Sequence, residues 1–250
     1  MISLFFMQRT DKISAGSFDL NKWLYGGYEK EVITMIAGPP GSGKTNFCVL
    51  AAASQAKKKN KVLFIDTEGG FSIDRIRQIV GENYEDILEN ILLLSPASFD
   101  EQQKSFSQML NKLKKDQIGL VVVDGMATLY RLELGEISKS GTEKEIREFN
   151  QKIAQQLRIL SEISRKEKIP ILITNQVYSG FVSEEDFRKG VKKEVNFVGG
   201  DLLKYWSKCI IELKLENRKR KAILLKHRSL PVKEFNFEIK DKGIFRRRWI

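Results

Sequence analysis

A three-layer α/β fold around a mostly parallel sheet is the class this sequence encodes. Short, nearly continuous Val, Ile and Leu runs recur along the first 175 positions, and helical stripes with recognisable starts alternate with them. A glycine-rich turn also joins the first run to the first apolar helix. The runs are Val32–Ala37, Val62–Ile65, Ile91–Leu94, Leu120–Val123 and Ile169–Ile173. Their lack of polar alternation is the mark of strands covered on both faces, as in a parallel sheet.

Among the helices, Phe47–Ala56 follows the glycine-rich turn. Ser98 and Glu101 have capping-box spacing, and Phe99, Phe106, Met109, Leu110 and Leu113 are expected on one face behind them. Thr142 and Glu145 repeat the device ahead of a stripe, Ile146, Phe149, Ile153, Leu157 and Leu160, on a helix ending near Lys168. Strand–helix alternation of this kind packs helices on both faces of the sheet. After Gln176 the pattern changes. Tyr178–Gly200 is long, charged and glycine-containing, and is expected to be a moving loop. Cys209–Leu215, Lys221–Lys226 and Glu234–Ile239 read as antiparallel strands that extend the sheet, with a turn at Glu216–Arg220.

Composition narrows the classes. The 250 residues carry 43 Lys and Arg against 32 Asp and Glu, a net charge of +11, which favours polyanionic partners, nucleic acid first. With 42% hydrophobic residues and 15 Phe the chain buries a substantial core, which excludes intrinsic disorder. Two cysteines and one histidine exclude a disulfide framework and the usual zinc site. No stretch approaches the ~20 apolar residues of a membrane span. The apolar Met1–Met7 has neither a basic leader nor a small-residue cleavage site and reads as a packing segment, so a cytoplasmic protein is expected.

Gly38-Pro39-Pro40-Gly41-Ser42-Gly43-Lys44-Thr45, followed by Asn46, matches the phosphate-binding pattern G-x-x-x-x-G-K-[ST] between a buried strand and an apolar helix. Glycines let successive N–H groups turn inward, and the helix N-terminus adds the positive end of its dipole. Lys44 is placed to reach the outer phosphates of ATP, and Thr45 to ligate Mg²⁺. Asp124, ending the Leu120–Val123 run, fits a carboxylate that holds the same ion. Glu68, in Asp66-Thr67-Glu68-Gly69-Gly70 beyond another strand, is the candidate general base. Thr174-Asn175-Gln176 ends a third strand, where Gln176 is placed to sense the γ-phosphate.

Lys44, Glu68, Asp124 and Gln176, in this order at strand ends, resemble the core ATPases of the RecA/RadA recombinases. The resemblance runs from about Ile13 to Ile244 and includes Gly16-Ser17-Phe18-Asp19-Leu20 through Gly26-Gly27, Asp74-Arg75-Ile76-Arg77 and Ile173-Thr174-Asn175-Gln176-Val177. It implies a RecA-like P-loop core over residues 1–250, with a short extension over 1–12 and a basic tail over 245–250. It also implies that Arg75 lies against adenine and that the Gln176 strand sits between the two Walker strands, Val32–Ala37 before the glycine-rich loop and Leu120–Val123 before Asp124. Only about a dozen residues precede the match, where the recombinases carry a helical DNA-binding domain and a polymerisation segment, and the chain looks most like their short archaeal paralogues, which are essentially core alone. That branch implies ATP and DNA binding, very weak ATPase activity, and an accessory role in recombination and repair without strand exchange. Contacts with a RadA-type recombinase and a Holliday-junction resolvase are implied as well.

Arg188, Lys189, Lys192 and Lys193 fall in the segment that corresponds to the second DNA-binding loop of the recombinases, beside Phe181 and Phe187. Cations there are expected to meet phosphates of single-stranded or branched DNA, and the aromatics to stack on bases. Lys226 and Arg228, two apart on an expected strand, share one face and are candidates to complete the ATP site of a neighbouring subunit in a homo-oligomer. Ordinary surface charge explains them equally well. A filament-forming, DNA-dependent ATPase recombinase and a KaiC-like or ring-forming regulatory ATPase share the same core and stay open as alternatives.

Overall fold

The computed structural model describes residues 12–179, 195–197 and 200–247. A leading segment, β1 (Lys12–Ile13), α1 (Phe18–Trp23) and β2 (Tyr28–Glu29), precedes the main sheet. There follow β3 (Ile33–Gly38), α2 (Lys44–Ala56), β4 (Lys61–Asp66), α3 (Ile73–Val80), α4 (Tyr84–Leu88) and β5 (Ile91–Leu94). Next come α5 (Phe99–Leu113), β6 (Ile118–Asp124), α6 (Thr128–Ser140), α7 (Glu143–Lys166) and β7 (Ile171–Ser179). The described chain closes with β8 (Val195–Phe197), α8 (Gly200–Trp206), β9 (Ser207–Glu216), β10 (Lys219–Lys226), β11 (Lys233–Lys240) and β12 (Gly243–Arg246).

The sheet order is β12-β11-β10-β9-β3-β7-β6-β4-β5, and the six strands from β9 to β5 are parallel. Each expected run is a strand, and β7 lies between β3 and β6 as the resemblance implies. Two apolar cores cover the sheet. One packs α2 with the leading segment and the inner residues of β9–β12, including a stacked Trp23–Phe235 pair and a T-shaped Phe47–Phe237 pair, both at 5.4 Å. The other packs α5, α7 and Leu203 of α8. Thr142 and Glu145 form the full reciprocal cap, and Phe149, Ile153, Leu157 and Leu160 are buried behind it.

Four expectations need correction. The Cys209–Leu215 strand is parallel to β3 and antiparallel only to β10, because it follows a helix-containing crossover, while a two-residue turn joins it to β10. Both turn residues, Asn217 and Arg218, have positive φ (49° and 61°), as the twist of such a hairpin requires. The strand carrying Gln176 continues to Ser179, and 195–197 pairs antiparallel beside it (Val177 with Phe197), so the expected loop is strand at 178–179 and 195–197; its residues 180–194 and 198–199 lie outside the described residues. At α5, Ser98 caps Glu101 N–H, but the Glu101 carboxylate reaches Ala97 N–H and the reciprocal bond is absent, while Leu110 faces solvent. Phe245 and Arg246, assigned to the basic tail, belong to β12, where Arg246 N–H donates to Asp19. Among the described residues no helix is long and apolar enough to cross a membrane.

The leading segment is tied to the β10–β11 connection through Glu29, which is buried. Arg228 Nε donates to it at 3.0 Å and His227 Nε2 lies 3.7 Å away, while His227 Nδ1 accepts from the N–H groups of Ser229 and Leu230. Burial pushes the His227 imidazole below its usual range, against the pull of Glu29 and with the help of Lys12, Lys233 and Arg228. A folded value lowered below the unfolded one of about 6.5 means the unfolded chain takes up the proton first. The contribution of His227 to stability is therefore complete above about pH 6.5 and is lost as pH falls below it. Urea midpoints between pH 7.5 and 5.5 should show that decline, and His227→Asn, which keeps an acceptor without titrating, should flatten it; equal slopes would exclude His227 as the cause.

Candidate nucleotide site

The sheet's carboxyl edge gathers the chemistry. Gly43 (φ 106°) leads into α2, whose first N–H groups receive no side-chain cap and face the loop without an internal acceptor. That is an anion site by construction. Lys44 is buried and folds over the loop, its Nζ donating to the carbonyls of Gly38 (3.0 Å) and Pro39 (3.1 Å). Burial lowers its ammonium's affinity for the proton, and the Glu68 and Asp124 carboxylates nearby oppose that. Ser42 Oγ, within the same loop, is buried without a hydrogen-bond partner.

Asp124 ends β6, fully buried. Its Oδ1 accepts from Thr174 Oγ1 at 2.6 Å, and the same Thr174 oxygen accepts Gly125 N–H at 2.7 Å. Its Oδ2 is buried with no hydrogen-bond partner. Burial raises the carboxyl group's affinity for its proton; the hydroxyls of Thr174 and Thr45 oppose this, and Asp66 and Glu68 add to it. An unpaired carboxylate oxygen beside the Thr45 hydroxyl suits a small hard cation. The space above them is kept open by Gly70, where a Cβ would stand 3.1 Å from Thr45 Oγ1 and 3.6 Å from Asp124 Oδ2. The residues fit Mg²⁺.

Asp66, ending β4, shapes the next loop. Its carboxylate accepts from the N–H groups of Glu68, Gly70 and Phe71, and Phe71 packs edge-on to Phe64. Glu68 is thereby presented at the exposed rim, where its Oε1 accepts from Gln176 Nε2 at 3.0 Å and from Thr128 Oγ1 at 2.6 Å. Lys44, Glu68, Asp124 and Gln176 thus share one site.

Arg75, on α3, donates to Asn46 Oδ1, Gln78 Oε1 and the carbonyls of Lys240 and Asp241. The guanidinium edge is occupied and held beside α2, an arrangement that leaves a planar group its faces for stacking. Asn46 therefore acts on Arg75. Three residues escaped sequence reasoning. Thr128 and Thr174 hold the Glu68 and Asp124 carboxylates across the sheet edge, and Arg220, beside the expected turn, donates to the Gly41 carbonyl of the phosphate loop. Each pairing joins residues at least 49 positions apart, and no local pattern encodes it.

The remaining candidates lie elsewhere. Strand β10 ends at Lys226, so the expected alternation does not reach Arg228: Lys226 donates to the Lys204 carbonyl and Arg228 is bound to Glu29. Arg188, Lys189, Lys192 and Lys193 lie outside the described residues.

A glycine-rich loop with its lysine, a strand-end aspartate beside a threonine, and a glutamate–glutamine pair on one parallel sheet edge define a RecA-like P-loop nucleotide-binding protein. A family model described as Rad51 matches residues 7–247, and the chain belongs to that family. It is 39% identical over 229 residues to the DNA repair and recombination protein RadB of Methanosphaera stadtmanae, covering 90% of this chain and 92% of that one. The RadB of Methanocaldococcus jannaschii is 38% identical over 228 residues, with 90% and 98% covered.

Proposed function

We propose that this chain is an ATP-binding accessory protein of homologous recombination and DNA repair, with slow ATP hydrolysis and no strand exchange of its own. The observation that carries the reading is the convergence of Lys44, Glu68, Asp124 and Gln176 on one sheet edge in a chain so similar to the RadB proteins. In this reading the N–H groups of the Gly38–Thr45 loop cradle the phosphates, and Lys44 leaves its own loop carbonyls for the outer ones. Thr45 and Asp124 hold Mg²⁺, which when bound supplies positive charge against the phosphate oxygens. Glu68 orients and deprotonates the attacking water, and Gln176 exchanges its bond to Glu68 for one to the γ-phosphate. Arg75 offers its plane to the adenine.

DNA contact through Arg188, Lys189, Lys192 and Lys193 belongs to the same reading, as do partnerships with a RadA-type recombinase or a junction resolvase. A role in trans for Lys226 and Arg228 requires assembly to exchange their present partners. The deciding experiment measures ATP turnover with and without single-stranded DNA while particle mass is recorded. Slow turnover, little stimulated, with loss of nucleotide binding by roughly 100-fold in Lys44→Ala, is expected. Strong DNA stimulation with filaments would favour a recombinase, and rings of fixed size a regulatory ring ATPase. Neutralising the four loop cations should weaken DNA binding and flatten its salt dependence, and an unchanged slope would remove them from the interface.

A further inference from the structure

Two donors converge on one oxygen of Glu68, and they differ in kind. Gln176 sits on β7, the strand that β8 pairs with antiparallel, and the hydrolysis reading above needs its amide elsewhere during turnover. Thr128 is the first residue of α6, fixed by its N–H to the Gly125 carbonyl at 3.1 Å, and its hydroxyl makes the shorter bond. The carboxylate is also confined from below. A Cβ at Gly125 would meet Glu68 Cγ at 2.8 Å and Thr128 Oγ1 at 3.0 Å, so the glutamate stem lies directly on the Walker-strand turn. Among the described residues Thr128 and Gln176 also line a common cavity of about 400 Å³ with Arg131, Leu132 and Gly135, which brings solvent to this corner.

We propose that Thr128 is the positioning residue of Glu68: its hydroxyl keeps the carboxylate aimed when Gln176 departs. A base held only by the sensor would be released at the moment it is needed. A second donor on the rigid first turn of α6 separates the two tasks. The inference rests on the ATP-hydrolysing reading and adds to it a residue that acts through Glu68.

Thr128→Val keeps the side chain's shape and removes the donor. Steady-state turnover should fall roughly 10- to 100-fold, the loss of one hydrogen bond to a charged group, with KM for ATP and the thermal midpoint unchanged. Thr128→Ser should restore most of the rate. In an E68Q background Thr128→Val should cost little further, because the effect passes through that carboxylate. Equal rates for Thr128→Val and the unaltered chain, a loss not restored by serine, or full additivity with E68Q would each overturn the proposal. An unaltered chain that turns over no ATP would sink the hydrolysis reading itself, and this proposal with it.

Discussion

Replacing Asp124 by asparagine is expected to raise the thermal midpoint of the nucleotide-free chain while lowering ATP turnover by on the order of 100-fold or more. The two effects have one origin. Asp124 is fully buried, one carboxylate oxygen has no partner, and its burial disfavours the charged form. A carboxyl group whose folded state favours the proton costs stability once the pH is above its unfolded value of about 4. Asparagine still accepts from Thr174 through its carbonyl and removes a buried charge that the neighbouring hydroxyls offset only in part. The same charge is what a divalent ion beside Thr45 would meet. Nucleotide with Mg²⁺ should therefore raise the midpoint of the unaltered chain well above that with nucleotide and chelator, and the variant should show little such difference. A lower midpoint for the free variant, or an undiminished response to Mg²⁺, would refute this assignment.

Gly125→Ala should be the most damaging single methyl group at the site. Gly125 has φ 86°, which a side chain tolerates poorly, and its Cβ would fall 2.3 Å from Thr67 Oγ1. That hydroxyl is committed to the carbonyls of Asp124 and Gly125, so it has nowhere to retreat without breaking the turn. The backbone conformation and the overlap together cost about 2–4 kcal/mol. The displaced turn carries Thr128 and underlies Glu68, and misplacement by ~1 Å of groups that orient a reaction costs about 100-fold in rate. Chemical denaturation and turnover test the two halves separately. A variant of normal stability and normal rate would show that the turn is less confined than its neighbours imply.

The parts of this architecture that are legible in the sequence are those set by neighbours in the chain. A run such as Leu120–Val123 is apolar because both faces are covered, and the Gly38–Thr45 loop must be written contiguously for its N–H groups to converge. Glu68, Asp124 and Gln176 could be grouped with that loop because each stands just beyond an apolar run, and their order resembles that of recombinase cores. What remained hidden depends on pairing across the sheet. Cys209–Leu215 has the same apolar pattern whether its partner runs parallel or antiparallel, and only its place after α8 and beside β3 decides. Thr128 and Thr174 look like ordinary polar residues at element ends until strand order sets them against Glu68 and Asp124. Arg228 illustrates the opposite failure. A regular strand would have aimed it with Lys226, but β10 is irregular between Leu224 and Lys226 and ends there, and the guanidinium pairs with the buried Glu29 instead.

The wall behind the phosphate loop is made late. Ile239 stands against Gly43, where a Cβ would approach it to 2.7 Å, and Arg220 reaches the Gly41 carbonyl. Chains emerge from the ribosome N-terminal end first, so the loop appears long before the strands that back it. A nascent chain thus carries every residue of its phosphate cradle well before that cradle can close. Capture of nucleotide then becomes a property gained only near the end of translation, and a product cut short before β11 should be unable to retain ATP even with the whole glycine-rich sequence intact.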